Sequence, residues 1–378
     1  MADKKEIEMD LQRFVGSTFI KGQSPQIEQE KKASQFLPSV HGKGTDGIAQ
    51  MAGKPVKKDA IAQTASIEAG EVKLIVREID KLSGKLGVST HKLLSKGIAC
   101  FTDQNHTGLG NNKGLRALRV SFPLQEYALA CGYDVIEHPV ATQEEAKKEA
   151  QRVENAIKNA RRKIKKDLQL LLASTLTWEE KVKGKVGNFD GINILGRASL
   201  KNGEILMEFS GSMAEYLVQL PLTQYPIALL GIDERNPNAY LMGLKMNEHF
   251  NMDNNQIRGT AQSLRVVKLL SWGNFPSLDS AGVKKNGWEA RIKEPFETAL
   301  DVLTGTYLED WYYSHSKGVR LTDEEATSFS SFEKWANTLV HFTLKDAPDC
   351  KPRLEARAQE KKEAQAKRKR KADKKKDE

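Results

Sequence analysis

From residue 153 the chain carries a one-sided helical seam. Val153, Ile157, Ala160, Ile164, Leu168 and Leu171 step by four, three, four, four and three, a spacing that only an α-helix places on one face. Thr142 and Glu145 stand in the Ser/Thr-x-x-Glu arrangement that caps a helix start. The other faces carry Lys158, Arg161, Arg162, Lys163, Lys165 and Lys166, with no acid from residue 155 to 166. "TLTWEE" then leads into extended structure, and "GINILGRASL" and "EILMEF" alternate apolar and polar residues around Asn202-Gly203. Asn-Gly between alternating runs is the strongest short-range hairpin signal. A long helix with one basic side, delivered into a β-hairpin, restricts the chain to an α+β class.

The elements before this helix read as two helices, "EVKLIVREIDKLSGKL" and "HKLLSKGIACF", the second capped by Ser89 or Thr90. A short strand in "LRALRVSF" and a short helix "LQEYALACG", stopped by Gly132, follow. The second half repeats the order. Asn236-Pro237 opens a helix through "AYLMGLKMNEHF", and "AQSLRVVKLLSWG" reads as a second helix. "WEARIKEPFETALDVL" is a third, with an apolar face at Trp288, Ile292, Phe296, Ala299 and Leu303. Lys284, Lys285, Arg291 and Lys293 lie at its leading end, and Pro295 should kink it or restart it. Extended "LEDWYY" and "TLVHFTL" can pair as a hairpin, with a helical insertion in "LTDEEATSFSSFEKWA" between them.

Charge is unevenly placed. Of a formal net charge of +9, the segment Lys351–Glu378 holds 13 Lys or Arg against 6 Asp or Glu, a surplus of seven. Such a tail, "KKEAQAKRKRKADKKKDE", binds polyanions without sequence preference or simply aids solubility. Residues 1–70 lack sustained periodicity and read as a disordered leader, 71–210 and 211–350 as two repeated domains, and 351–378 as a disordered basic tail. No apolar run is long enough for a membrane span, and three scattered cysteines point to reduced thiols in the cytoplasm.

Catalytic signatures fail. Gly47 and Gly53-Lys54 are one residue too far apart for a phosphate loop, and Pro55 replaces its hydroxyl residue. None of the seven histidines forms a His-x-His pair that could serve Tyr312-Tyr313 in strand nicking. The reading is of a non-enzyme without cofactor or metal.

Each half thus runs helix, short helix, long helix with a basic side, hairpin, which is the order of a winged helix. In that arrangement the third helix enters the major groove and the hairpin flanks the backbone. Lys181, Lys183, Lys185 and Arg197 are placed for backbone contact in the first hairpin region. Trp178, Trp288 and Trp311 read as core anchors.

The stretches "NPNAYLMGLKMNEHFNMD", "LRVVKLLSWGNFPS", "WEARIKEPFETALDVL" and "WYYSHSKGVRLTDEE" give Glu71–Leu344 a resemblance to tandem winged-helix replication initiators of plasmids and phages. The resemblance is one of architecture and local phrasing, with no catalytic signature. It implies sequence-specific binding of double-stranded DNA at origin repeats and recruitment of host replication proteins. It also implies a second winged helix that reads DNA through Lys284, Lys285, Arg291 and Lys293. The first, with Arg161, Arg162, Lys165 and Lys166, would contact DNA or form a homodimer interface. Here the first helix is the more basic of the two. A winged-helix transcriptional regulator uses the same contacts and stays open as an alternative; a nuclease or relaxase fits less well.

Overall fold

The computed structural model describes residues 36–59, 63–77, 86–105, 117–140, 142–182, 185–315, 318–347, 350–351, 354–355, 359 and 362. It is an α+β protein, with four small sheets of antiparallel strands among the described residues. Order begins well before residue 70, so the expected disorder of 1–70 does not hold from residue 36 onward. Strand β1 (Phe36–Val40) leads into helix α1 (Lys43–Met51), and β2 (Lys57–Asp59), β3 (Thr64–Ala69) and β4 (Val72–Val76) follow.

The expected helix over residues 71–86 is β4 in its first part; its residues 78–85 lie outside the described residues. Ala65, Ile67 and Ala69 alternate inward, as do Val72, Leu74 and Val76, across the two-residue turn Gly70-Glu71. Gly70 supplies the positive φ (61°) that such a turn requires. The run also fits a helical period, because β-branched residues stand at both spacings, and sheet pairing decides between them.

Helix α2 (Val88–Asn105) is buried on nearly every side. Its polar side chains are accommodated because several find partners inside the protein. Thr90 Oγ1 donates to Asp167 at 2.7 Å instead of capping the helix. The Lys92 ammonium donates to the Leu230 carbonyl at 2.6 Å and to that of Ile232. His91 Nδ1 lies 2.6 Å from the Tyr240 hydroxyl, which is itself 3.0 Å from that of Tyr225.

Then come β5 (Arg119–Pro123), α3 (Leu124–Ala130) and α4 (Gln143–Ala173). Two hairpins follow, β6 (Ser174–Val182) with β7 (Lys185–Asn193), and β8 (Leu195–Lys201) with β9 (Glu204–Phe209). The second turns at Asn202 (φ 52°) and Gly203 (φ 76°), as the sequence predicts. The first joins β2, β3 and β4 in a five-stranded sheet ordered β2-β3-β4-β6-β7, whereas β8 and β9 join β5 in the order β5-β9-β8.

Helix α5 (Gly211–Gln219) and β10 (Leu222–Pro226) do not open the second unit as the boundary at 210 predicts. Tyr216 of α5 packs edge-on against Trp178 at 4.8 Å, and β10 pairs with β1.

The second unit runs α6 (Pro237–Asn251), α7 (Asp253–Arg258), β11 (Ser263–Arg265), α8 (Val266–Leu270), α9 (Ala281–Asn286) and α10 (Glu294–Leu303). It ends with β12 (Leu308–Ser314), α11 (Asp323–Thr327), α12 (Phe332–Asn337) and β13 (Leu339–Leu344). The helix expected in "AQSLRVVKLLSWG" begins as a strand because Ser263, Leu264 and Arg265 pair with His341, Val340 and Leu339. Its sheet has the order β11-β13-β12. Both halves therefore contain a helix, a short strand, a short helix, a long helical segment and a hairpin whose returning strand lies in the middle of the sheet. Cys350 is buried and Leu354 packs against the core. The described residues from 351 to 362 are helical, so disorder does not begin at 351.

Candidate nucleic-acid interface

Helix α4 spans 31 residues, about 46 Å at 1.5 Å per residue. The capping box forms as read from sequence: Glu145 N–H donates to Thr142 Oγ1 at 3.2 Å and Thr142 N–H to Glu145 Oε2 at 3.1 Å. About two turns further in, Arg152 ties the helix to the segment after α3. It donates to the Ile136 carbonyl at 2.6 Å, to the Asp134 carbonyl at 3.0 Å and to both Glu149 oxygens. The Arg152 guanidinium, together with the His138 amide, holds the Glu149 carboxyl down at about 2.

The seam is as predicted. Val153, Ala160, Ile164, Leu168 and Leu171 are buried and Ile157 is half-buried, packed toward α2 and β8. Asp167 is buried beside them. Burial pushes its carboxyl up, against the attraction of Lys163 and the hydrogen bond from Thr90.

On the outer side Lys158, Arg161, Arg162, Lys165 and Lys166 are all exposed. Arg161 and Lys165 stand one turn apart, as do Arg162 and Lys166, with Lys158 continuing the strip toward the N-terminus. Lys158, Arg161, Arg162 and Lys165 form no ion pair with a described residue. Lys163 differs from these. It lies half-exposed at the edge of the seam and pairs with Glu234 at 3.1 Å, so its charge already has a partner within the protein.

The predicted hairpin cations divide between two sheets. Arg197 is exposed on β8, a strand that packs against α4. Lys181 and Lys185 belong to the other hairpin, β6–β7, where Lys181 pairs with Val186 and Val182 with Lys185; Lys183 lies outside the described residues. The division follows from "TLTWEEKV" and "KVGNFDGIN" pairing with each other as a hairpin of their own, where the sequence alone predicts only that "TLTWEE" leads into extended structure.

In the second unit Lys284 and Lys285 are exposed on the short helix α9, and Lys284 has Asp279 at 3.7 Å. Gly287 (φ 79°) breaks the chain direction after them. Trp288, half-buried, packs on Trp335 at 5.3 Å and Phe332 at 5.7 Å. Glu289–Lys293 then forms a π-helical turn in which the Glu294 N–H reaches the Glu289 carbonyl. Pro295 accounts for it: without an N–H, the proline cannot continue the ordinary ladder, and the wider turn absorbs the defect.

Arg291 is exposed on that turn. Lys293 is not available. Its side chain is only 13% exposed, it pairs with Glu297 at 3.2 Å and its ammonium lies over the Phe329 ring at 5.9 Å. Glu289 and Glu294 share the exposed side with Arg291, so this long helix has a mixed outer face where α4 has a basic one.

Tyr313 is buried. Its hydroxyl donates to Glu297 Oε1 at 3.1 Å and accepts from Trp335 Nε1 at 2.8 Å, and burial pushes its ionisation far above the ordinary phenol range. It is a core residue. Trp178 is fully packed, whereas Trp288 and Trp311 are half-buried at the edge of the core. No helix among the described residues is long and apolar enough to cross a membrane. No family model matches the chain, and no curated protein is similar to it in sequence.

Proposed function

We propose that the chain is a sequence-specific, double-stranded DNA-binding protein built on two tandem winged helices, working in the cytoplasm as a replication initiator of a plasmid or phage. It binds origin repeats and recruits host replication proteins, without chemistry of its own. The observation that carries this reading is the repeated topology. Twice, a three-stranded sheet with its last strand in the middle stands behind a long helix, and on α4 the exposed side from Lys158 to Lys166 carries five cations and no acid. A helix fits the major groove, and guanidinium and ammonium groups replace the counterions of the phosphates. The first unit supplies the electrostatic grip through Lys158, Arg161, Arg162, Lys165 and Lys166. The second unit approaches with Lys284, Lys285 and Arg291.

Selection of duplexes from a random pool by the full-length protein tests this. Enrichment of a defined motif, arranged as direct repeats in the parent replicon, is the expected result. A pool that stays random after several rounds contradicts sequence-specific reading. A motif found only as one inverted repeat at a promoter assigns the same fold to transcriptional control.

A further inference from the structure

The segment from Phe36 to Gly53 touches both units. On the side of the first, β1 packs on α2, and α1 lies flush against the five-stranded sheet and α5. Its glycines make that approach possible: a Cβ on Gly47 would stand 2.5 Å from the Val72 Cβ, and one on Gly44 would stand 3.0 Å from the Trp178 ring. The Gly44 N–H donates to the Tyr216 hydroxyl at 2.9 Å and the Gly42 N–H to Thr45 Oγ1 at 3.0 Å. The amides at the start of α1 are therefore engaged within the protein, and its glycines serve close packing.

On the side of the second unit, β1 pairs with β10, which packs on α6. His41 Nδ1 lies 2.9 Å from Asp46 and its Nε2 lies 3.7 Å from Glu248 of α6, which Lys245 also engages at 2.7 Å. Asn274 Nδ2 donates to the Ala52 carbonyl at 2.6 Å, while the Asn274 N–H is held by Asn238 at 2.7 Å. A Cβ on Gly53 would meet Asn274 Nδ2 at 2.6 Å and Pro237 at 3.2 Å.

We propose that residues 36–53 are a clamp that fixes the separation of the two DNA-facing helices, so that the protein accepts only one spacing between the two halves of its target. The DNA part of this rests on the function proposed above. Without the clamp, the polar contacts between the first unit and the start of the second converge on Tyr240 and the stretch before it: His91 and Lys92 at Tyr240, Lys92 at the Leu230 and Ile232 carbonyls and Lys163 at Glu234, so the freedom left to the units is rocking about that join. With it, two sets of contacts well apart along the segment, at His41 and at Ala52–Gly53, remove that freedom. A rigid pair of readers discriminates by phase, because one turn of duplex takes about 10–10.5 base pairs and half a turn places the second half-site on the opposite side.

The test measures the distance between spin labels at Glu154→Cys on α4 and Thr298→Cys on α10, in a Cys131→Ser background, by pulsed electron resonance. The parent should give one narrow distribution. Asn274→Ala with His41→Ala, which leaves the apolar core intact, should broaden it, and Gly47→Leu should broaden it further. Circular dichroism confirms that each variant is folded, and the double variant decides if Gly47→Leu is not. A parent distribution already broad, or an unchanged one in the folded variants, overturns the clamp. On a duplex selected by the parent, insertion of five base pairs between the half-sites should weaken parent binding at least about tenfold and the double variant much less. Equal tolerance in both also overturns it. If the parent selects no duplex, the DNA reading fails and the label distances still judge the clamp.

Discussion

His91 and Asp103 sit on the same buried helix and respond to acid in opposite directions. Burial pulls the His91 imidazole down to about 3 and pushes the Asp103 carboxyl up to about 7, the latter against the attraction of Lys96. Between its folded value and the ordinary 6.5, His91 takes up a proton only after unfolding, so it costs stability as pH falls through that window. Asp103 binds its proton more tightly when folded. Its contribution therefore grows as pH falls from about 7 toward the ordinary aspartate value and is lost as pH rises through about 7. Each slope is about 1.4 kcal/mol per pH unit while its window is open, and the two nearly cancel from pH 4.5 to 6.5. Urea unfolding across that range should show His91→Asn gaining stability in acid relative to the parent and Asp103→Asn losing it. Parallel curves for all three proteins would sink the assignment. Neither group could be placed from the sequence: in "HKLLSKGIACFTDQN" His91, Lys92, Ser95, Lys96, Thr102 and Asp103 fall on one side of the helix, a polar side that the pattern assigns to solvent and the fold buries. The cations at 163 and 293 were legible as charges, and Glu297, four residues after Lys293, as a partner for the second; Glu234 reaches Lys163, and Phe329 covers Lys293, only through the tertiary fold.

At the scale of elements, the exposed cations of α4 should matter and the paired ones should not. Lys163→Ala and Lys293→Ala should each weaken duplex binding by less than about twofold, because a charge neutralised inside the protein releases few counterions. Arg161→Ala and Arg162→Ala should each cost roughly threefold or more and make the salt dependence shallower. Fluorescence anisotropy at two salt concentrations distinguishes the sets; equal losses from all four would place Lys163 and Lys293 on the DNA after all. The strong local signals were readable in advance: the seam of α4, its capping box, the Asn202-Gly203 hairpin and the interruption at Pro295. Misread stretches were those whose apolar residues satisfy both periods, "EVKLIVREID" and "AQSLRVV". There a pairing partner distant in sequence, β6 for β4 and β13 for β11, selects the strand. The insertion before β13 was legible as helical, though it forms two short helices, α11 and α12.

At the scale of the molecule, the repeat of two similar units was visible in sequence because each unit is assembled largely from local elements in the same order. The layer from Phe36 to Ala69 was not. Its composition of Gly, Gln, Ser and Lys reads as disorder, yet its glycines answer to bulky neighbours contributed by Val72, Trp178 and Pro237, and its strand β1 is completed by β10 far along the chain. On the proposed function, α4 is the main face presented to duplex DNA. That is tested most directly by reversing Arg161, Arg162, Lys165 and Lys166 to Glu together and measuring binding to a selected and a scrambled duplex at two salt concentrations. The seam at Ile157, Ile164 and Leu168 is untouched, so melting should stay near that of the parent. Loss of measurable binding to both duplexes is the expected result. Unaltered affinity in the folded quadruple variant would contradict it and assign this face of α4 to contact between proteins.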